Sequence, residues 1–146
     1  MRIVGTWRTC DDGVSRPVLR GVLFGAQGQP LTEWFLIDTG ADQTVLSGSA
    51  CFRLGIPGRL PDTGYRLVGI GGATDFVLIA TEVELNRDDG QVVRVRGEFA
   101  AFTDPVATDL SVLGRDVLDQ FDLLISRRKE EIWLLTGIHQ YRIETQ

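Results

Sequence analysis

The sequence predicts an all-β domain, and two features of the chain lead to that prediction. Short segments rich in Val, Leu, Ile, Phe and Trp recur along its 146 residues and are separated by turns rich in Gly, Asp and Pro. Only one stretch, near residue 117, has apolar residues at helical spacing. The pattern indicates about ten strands and one short helix, and the chain has the length of a single domain over residues 1–146.

The composition excludes several classes of partner. With 43% hydrophobic and 24% charged residues the chain is typical of a soluble globular protein. Its net charge of −5 and its scattered arginines form no basic stripe, so neither nucleic acid nor an anionic membrane surface is expected as a partner. Because no charged segment followed by an apolar one is found near Met1, no signal peptide is expected there, and no apolar run approaches the ~20 residues that span a bilayer.

The cysteine content predicts a reducing, cytoplasmic location. Cys10 and Cys51 are the only two cysteines and lie far apart in the chain. A secreted domain held together by disulfides would carry more of them, although a single disulfide between these two is compatible with the composition.

The first third of the chain predicts three strands. Residues 1–8 and 17–24 form a hairpin across a short turn. A strand at 31–37 follows, and apolar residues on both of its faces predict burial on both sides. Residues 47–60 contain three glycines and a proline, so a loop with one turn of helix at most is expected there.

Two hairpins are predicted in the middle of the chain. Segments 65–68 and 74–85 flank Gly69-Ile70-Gly71-Gly72, a tip that is nearly all glycine. Ordering three glycines costs backbone entropy, which predicts a mobile tip carrying one apolar side chain, although glycines also simply make a tight turn.

The next hairpin has a predictable register. A three-residue loop at 88–90, with Gly90 in the left-handed conformation, pairs residues of matching character. The pairs are Glu84 with Arg94, Glu82 with Arg96, Leu85 with Val93 and Val83 with Val95. A shift of one residue would set Glu84 against Val95, so the three-residue loop is preferred, and the charged pairs are expected to face water.

The last third predicts a second run of strand into glycine. Residues 99–102 and 110–114 are apolar, and Val117, Leu118 and Phe121 fall on one helical face. The remaining predicted elements are a helix at 115–120, a hairpin of 123–126 with 131–135, and a last strand at 140–144.

Asp38 is the main candidate for a catalytic residue, because it follows a buried strand and opens an Asp-Thr-Gly turn. Taken alone, that turn is most simply a structural feature. The other chemistries, however, lack their residues. One histidine, His139, and two distant cysteines form no metal site and provide no base for a Ser or Cys nucleophile. The glycine tip also lacks the Gly-Lys-Ser/Thr ending of a phosphate loop.

Carboxylate chemistry needs a second acid. Two carboxyl groups about 3 Å apart cannot both ionise, so a pair shares one proton and can act as both acid and base. The chain has a single Asp-Thr-Gly. A two-fold homodimer would place Asp38 beside its own symmetry mate.

Three motifs carry a resemblance to a known family. They are the segments 38–46, 68–72 and 112–116, and they occur in the order and at roughly the spacing of the retropepsins, the single-lobe retroviral-type aspartic proteases. The resemblance covers about residues 31–126. It implies a closed β-barrel or sandwich with a glycine-rich flap hairpin and one short C-terminal helix. It also implies an obligate homodimer and endopeptidase activity on peptide or protein substrates, without metal or cofactor.

The resemblance also implies roles for individual residues. Asp38 resembles the catalytic aspartate, Thr39 the threonine that locks the two active-site loops across the dimer axis, and Gly40 the substrate-facing turn. Asp42 resembles the acid that holds substrate backbone amides and pairs with an arginine, here Arg115.

Further residues complete the implied substrate site. Gly69, Ile70, Gly71 and Gly72 resemble the flap tip, and Ala41 stands where a serine would donate a hydrogen bond to the carboxylates. Because alanine cannot donate that bond, the carboxyl pair is expected to hold its proton to higher pH. The groove is expected to be apolar near Ile70, Val77 and Val112.

The C-terminal segment departs from the retroviral pattern. The chain continues for about twenty residues past Ser126, and this continuation is more like the hairpin that closes a lobe of the two-lobed pepsins. Two alternatives stand beside the protease, and the longer C-terminus is compatible with the second of them. One is a catalytically silent peptide-binding or assembly module. The other is a monomeric, zymogen-like form that dimerises when a terminal segment is trimmed or moved.

Overall fold

The computed structural model describes residues 1–62, 68–69, 72–73, 76–104 and 110–137. Its strands are β1 (Arg2–Thr9), β2 (Ser15–Phe24), β3 (Pro30–Ile37), β4 (Val45–Leu46), β5 (Val68–Gly69), β6 (Gly72–Ala73), β7 (Phe76–Asn86), β8 (Val92–Phe102), β9 (Ser111–Leu113), β10 (Asp122–Ser126) and β11 (Glu131–Leu135). Its helices are α1 (Gly48–Leu54) and α2 (Arg115–Leu118). Neither helix is long and apolar enough to cross a membrane.

Six strands close into a barrel, in the order β2-β3-β9-β4-β8-β7. The ring closes where Val22 and Leu23 of β2 pair with Glu84 and Val83 of β7. Strands β3 and β9 run parallel, as do β4 and β8, whereas the other neighbours in the ring are antiparallel. Closure leaves no free edge within the ring, and it confirms the predicted all-β barrel.

Strand β1 links the barrel to a smaller sheet. Its first half pairs with β11 and its second half pairs with β2. The change of partner occurs beside Gly5, where an added Cβ would lie 2.8 Å from both Ile132 Cγ2 and the Val18 carbonyl oxygen. Only glycine lets the strands approach this closely. Strand β10 pairs with the far side of β11, so the small sheet has the order β10-β11-β1.

The core lies inside the barrel and under the small sheet. Its largest fully buried side chains come from β1, β2, β3, β4, α1, β7, β9 and β11. They are Ile3, Val18, Leu19, Leu23, Phe35, Leu46, Leu54, Ile79, Leu85, Leu113, Ile132 and Leu134. The strand at 31–37 was predicted to be buried on both faces. Phe35 and Ile37 on one face are buried, whereas Trp34 and Leu36 on the other are only half-buried.

The predicted hairpin register is confirmed. Strands β7 and β8 pair Glu84 with Arg94 and Glu82 with Arg96, and Gly90 has a φ of 78°. Each arginine donates a hydrogen bond to its partner, at 2.7 Å from Arg94 Nε and 2.6 Å from Arg96 Nε. The apolar pairs of the same ladder are likewise those predicted. Charge matching and the loop rule were therefore sufficient to fix this pairing.

The helices differ from the prediction in two respects. Residues 47–60 were expected to form a loop with about one turn of helix, yet α1 makes nearly two turns there. It forms because the Ser47 hydroxyl accepts a hydrogen bond from the Ala50 N–H at 3.1 Å, and because Gly55 ends the helix with a φ of 63°. The glycines thus bound the helix rather than interrupt it. Helix α2 ends at Leu118, before the predicted residue 120, because the N–H groups of residues 120 and 121 bond three residues back.

Several predictions lie outside the described residues. They include the strand at 140–144, residues 65–67, His139, and the tip residues Ile70 and Gly71. Cys10 and Cys51 are both free, so the structure contains no disulfide between them. The cytoplasmic location stays a prediction.

Candidate active site

The loop at 38–44 crosses the end of strand β9. It connects β3 to β4, and these two strands flank β9 in the barrel. Its first residue, Asp38, directly follows Ile37, which lies opposite Leu113 in the parallel β3–β9 pair. The Asp38 N–H donates to the Leu113 carbonyl oxygen at 3.2 Å. Asp38 is therefore held at the C-terminal end of β9, next to Gly114.

The Asp38 carboxylate is oriented by its own turn. Its Oδ1 accepts a hydrogen bond from the Gly40 N–H at 2.9 Å, and its carbonyl oxygen accepts one from the Ala41 N–H at 3.2 Å. Asp38 is half-buried, whereas Thr39 and Gly40 are exposed. The Thr39 hydroxyl has no hydrogen-bond partner among the described residues. The turn thus presents one carboxylate with a fixed orientation at the surface of the chain.

The start of α2 holds the middle of this loop. The N–H groups of Arg115 and Asp116 donate to the carbonyl oxygens of Ala41 and Asp42, at 2.9 and 3.2 Å. The Arg115 guanidinium also pairs with the Asp42 carboxylate, and both side chains are exposed. The two residues that resemble the family's supporting pair are therefore in contact.

Gly114 allows the helix and the loop to approach this closely. A Cβ at this position would lie 2.4 Å from the Gln43 carbonyl carbon and 2.8 Å from the Thr44 nitrogen. The φ of Gly114 is −94°, which any residue can adopt. Space, and not backbone conformation, therefore requires glycine here.

Two residues of this arrangement were not predicted from the sequence. Thr44 is completely buried, and its backbone N–H and its hydroxyl both donate to Asp116 Oδ1. A threonine before an apolar pair is an ordinary strand residue, and an aspartate in the first turn of a helix is common for electrostatic reasons. Both lie within the motif segments 38–46 and 112–116, but the motifs gave neither of them a role.

A groove of about 600 Å³ is lined in part by residues of β3 and β9, the strands that lead into the loop and into α2. Its apolar wall consists of Leu36, Phe102, Leu110 and Val112, and its polar rim comes from β1, β2 and the turn between them. Leu36 lies opposite Val112 across the β3–β9 pair. Asp38 is not among the residues that line the groove, but it follows β3 two positions after Leu36, which is among them.

The predicted groove residues fall in different places. Val112 lines the groove. Val77 does not: it packs against the hydrophobic core, and its side chain lies close to the backbone of Gly58. The backbone of Gly69 pairs with that of Gly72, and Val68 pairs with Ala73, in a two-stranded antiparallel ladder. This ladder corresponds to the base of the predicted flap tip.

An ion pair on the groove rim changes the titration of one carboxyl. Arg16 Nη1 and Nη2 donate to the two oxygens of Asp12 at 2.8 and 2.6 Å. The hydrogen bonds from Arg16, followed by one from the Val14 N–H, lower the pKa of Asp12 from 3.8 to about 2. The same contact raises the pKa of Arg16. The pair is therefore charged on both sides throughout the neutral and mildly acidic range.

We expect the Asp12 carboxyl to titrate with a midpoint of about 2 in an NMR pH titration of the carboxyl carbons. Because the pKa is lowered in the folded state, the stabilisation from this pair is fully present above pH 3.8 and is lost as the pH falls through about 2. In Arg16→Gln the midpoint should return toward 3.8. A wild-type midpoint already near 3.8 would show that the two side chains are not paired in solution.

No group of three or more His, Cys, Asp or Glu side chains that could hold a metal ion occurs in the part of the chain that the structure describes. The carboxylates near the loop bind backbone N–H groups and arginines instead.

Comparison with known proteins identifies the family. The family described as retroviral aspartyl protease matches residues 15–126, which include the Asp38 loop and the start of α2. No curated protein shows significant sequence similarity to this chain. Among solved structures, a retropepsin-like aspartic protease from Rickettsia conorii is similar, with a TM-score of 0.55 and 18% identity, and covers 92% of this chain and 90% of its own.

Two further structures are similar over shorter spans. EIAV protease complexed with the inhibitor HBY-793 has 27% identity and a TM-score of 0.46, and covers 71% of this chain and 86% of its own. The retroviral protease-like domain of Ddi1 from Leishmania major has 16% identity and a TM-score of 0.44, and covers 81% and 94%. The match of the family over more than half of the sequence is decisive, and this chain belongs to the retroviral aspartyl protease family.

Proposed function

We propose that the protein is an aspartic endopeptidase in which two Asp38 carboxylates, one from each chain of a homodimer, activate a water for peptide-bond hydrolysis. The observation that carries the proposal is the position of Asp38. It directly follows β3, two residues after Leu36 of the apolar groove wall, and its Oδ1 accepts a hydrogen bond from the Gly40 N–H. Membership of the aspartyl protease family supports the same chemistry.

The proposed mechanism divides the work between the two carboxyl groups. The pair shares one proton because two carboxylates cannot both ionise at contact distance. The ionised group takes a proton from the water as it attacks the scissile carbonyl, and the pair then delivers a proton to the leaving amine. The pair needs no metal or cofactor for this chemistry.

The groove suits an extended peptide with an apolar side chain. Leu36, Phe102, Leu110 and Val112 would receive that side chain, while the peptide backbone would bind the loop and the flap. Gly40, Ala41 and Asp42 are the loop residues proposed to contact it. The segment from Gly69 to Gly72, which includes Ile70 and Gly71, is proposed to cover it.

Strand β10 is the proposed meeting point of the two chains. It is the last strand of the small sheet and bonds on one side to β11. Ile125 lies opposite the fully buried Ile132 of β11, so the Ile125 side chain faces the core side of the sheet. The Ile125 residue is nevertheless 42% exposed. A second strand beside β10 would cover Ile125 and would use the backbone groups of its outer edge, which pair with no other strand in the part of the chain that the structure describes.

Two-fold symmetry fits this edge. A copy of β10 running antiparallel and centred on Leu124 would keep the core-facing side chains of both chains on one side of a continuous sheet. Leu123 and Ile125 of one chain would then lie beside Ile125 and Leu123 of the other. The same axis would have to relate the two Asp38 residues.

We expect Ile125→Lys to dissociate the dimer and to lower peptide cleavage together with it, by tenfold or more at micromolar protein, because a charged side chain cannot be buried unpaired against Leu123 of the other chain. Sedimentation velocity and cleavage of a peptide library would be measured on the same samples. Val92→Lys is the matched control, since Val92 is 40% exposed on a strand outside the small sheet.

The wild-type protein should also show a rate per chain that rises with concentration until dimer formation is complete. Full cleavage by Ile125→Lys as a monomer would contradict the dimeric site. A wild-type monomer that binds peptides without cleaving them would favour the silent binding module. Activity that appears only after C-terminal shortening would favour the zymogen-like form.

A further inference from the structure

We propose that Asp116 is a positioning residue that holds the far end of the Asp38 loop, so that its carboxylate sets the orientation of the catalytic group without touching substrate. Its effect on catalysis rests on the function proposed above. Its effect on the loop can be measured independently of cleavage.

One oxygen of Asp116 collects three hydrogen bonds. Oδ1 accepts from the Thr44 N–H at 2.9 Å, from the Thr44 hydroxyl at 2.7 Å and from the Val117 N–H at 3.0 Å. The first two come from the end of the loop, and the third comes from the helix that carries Asp116. A single acceptor thus joins the loop to the start of α2.

The Thr44 hydroxyl extends this link to the other end of the loop. Because its one hydrogen points to Asp116, its oxygen is free to accept, and the Gly114 N–H donates to it at 3.1 Å. Gly114 follows Leu113, whose carbonyl oxygen binds the Asp38 N–H. The hydrogen bonds therefore form a circuit from Asp38 through Gly114 and Thr44 to Asp116.

The backbone contacts of the loop do not replace this circuit. The N–H groups of Arg115 and Asp116 hold only the middle of the loop, at Ala41 and Asp42. Thr44 is 0% exposed, so its two donors have no easy access to solvent if the carboxylate is removed. The loop would then relax at the end that leads into β4, and Asp38 would shift with it.

Asp116 is exposed as a residue, but its Oδ1 is already engaged by Thr44 and by the Val117 N–H. Its removal should therefore leave peptide binding nearly unchanged and should act on the chemical step. A displacement of about 1 Å at a reacting group can cost on the order of 100-fold in rate, which sets the scale of the expected effect.

The test compares Asp116→Ala with Asp116→Asn, which keeps an oxygen acceptor at the same place, and with Asp119→Ala, which removes an exposed carboxylate one turn along. Steady-state kinetics on a cleavable peptide and amide hydrogen exchange of segment 38–46 are measured for each. Thr44→Val, which removes the hydroxyl and keeps the side-chain volume, is the second variant should Asp116→Ala fold poorly.

In Asp116→Ala we expect kcat to fall by roughly 10- to 100-fold with KM changed by less than about threefold, and exchange of segment 38–46 to quicken about tenfold or more. Asp116→Asn should restore most of the wild-type kcat and most of the wild-type protection from exchange. Thr44→Val should show the same changes as Asp116→Ala, and Asp119→Ala should behave as wild type. Wild-type kcat and wild-type exchange in both Asp116→Ala and Thr44→Val would overturn the role. So would an Asn variant no better than Ala. If wild type shows no Asp38-dependent cleavage, the proposed function fails, and the exchange measurement still decides whether Asp116 holds the loop.

Discussion

Asp38→Asn is expected to abolish peptide cleavage, with a loss on the order of 10⁴-fold in kcat. Asparagine can neither accept a proton from the attacking water nor deliver one to the leaving amine. In a homodimer the change also removes both acids at once. The folded structure should survive, because an amide oxygen can still accept the Gly40 N–H hydrogen bond that holds the side chain. Cleavage of a peptide library between mildly acidic and neutral pH measures the loss.

Mixing the two chains makes this test specific for a shared site. If each active site needs two Asp38 residues, only dimers of two wild-type chains are active. An equal mixture of wild-type and Asp38→Asn chains at exchange equilibrium should then keep about one quarter of the activity that wild type shows at the same total protein concentration. A mixture that keeps about one half would mean that each chain acts alone. Asp119→Asn, in the same proportions, should leave the activity unchanged.

Gly114→Ala is expected to destabilise the fold by about 3 kcal/mol and to remove most of the cleavage activity. The added carbon would lie 2.4 Å from the Gln43 carbonyl carbon and 2.5 Å from its oxygen. These are backbone atoms of the loop that carries Asp38, so they cannot rotate away as a flexible side chain would. The contact can be relieved only by moving the loop from the helix, which displaces the acid.

Chemical denaturation of Gly114→Ala and wild type measures the change in free energy of unfolding. Gly97→Ala is the matched control, because the nearest atom to a Cβ at that position is 3.6 Å away, at Phe99 Cζ. For the control we expect the free energy of unfolding to change by less than about 1 kcal/mol, as is usual for a well-tolerated surface substitution. Equal stability of Gly114→Ala and wild type would contradict the close approach of helix and loop.

Local patterns were sufficient for the elements whose neighbours are close in sequence. The β7–β8 register followed from a three-residue loop and the matching of Glu84 with Arg94, because alternation and turn chemistry act over a few residues. The same reasoning failed for α1. There, Ser47 and Gly55 cap the helix at its two ends, and a count of glycines alone does not distinguish caps from interruptions.

The candidate site was only partly open to sequence reasoning. Asp38, Asp42 and Arg115 could be selected through the order of three motifs, and the structure brings the last two into contact. Thr44 and Asp116 lie in the same motifs, yet their contact could not be predicted, since they are 72 residues apart and each is an ordinary residue for its own element. No local rule states which donor a distant carboxylate will meet.

The sequence by itself determined the strand content, the two runs of strand into glycine, and the acid that follows the first run, because apolar periodicity and turn residues are local properties of the chain. The tertiary structure decided the closure of the barrel through β2 and β7, the placement of the Asp38 loop across the end of β9, and the hydrogen bonds that hold it through Thr44 and Asp116. Those contacts join residues far apart in the chain. They arise only when the buried faces of many strands pack together at once, so no single segment contains them.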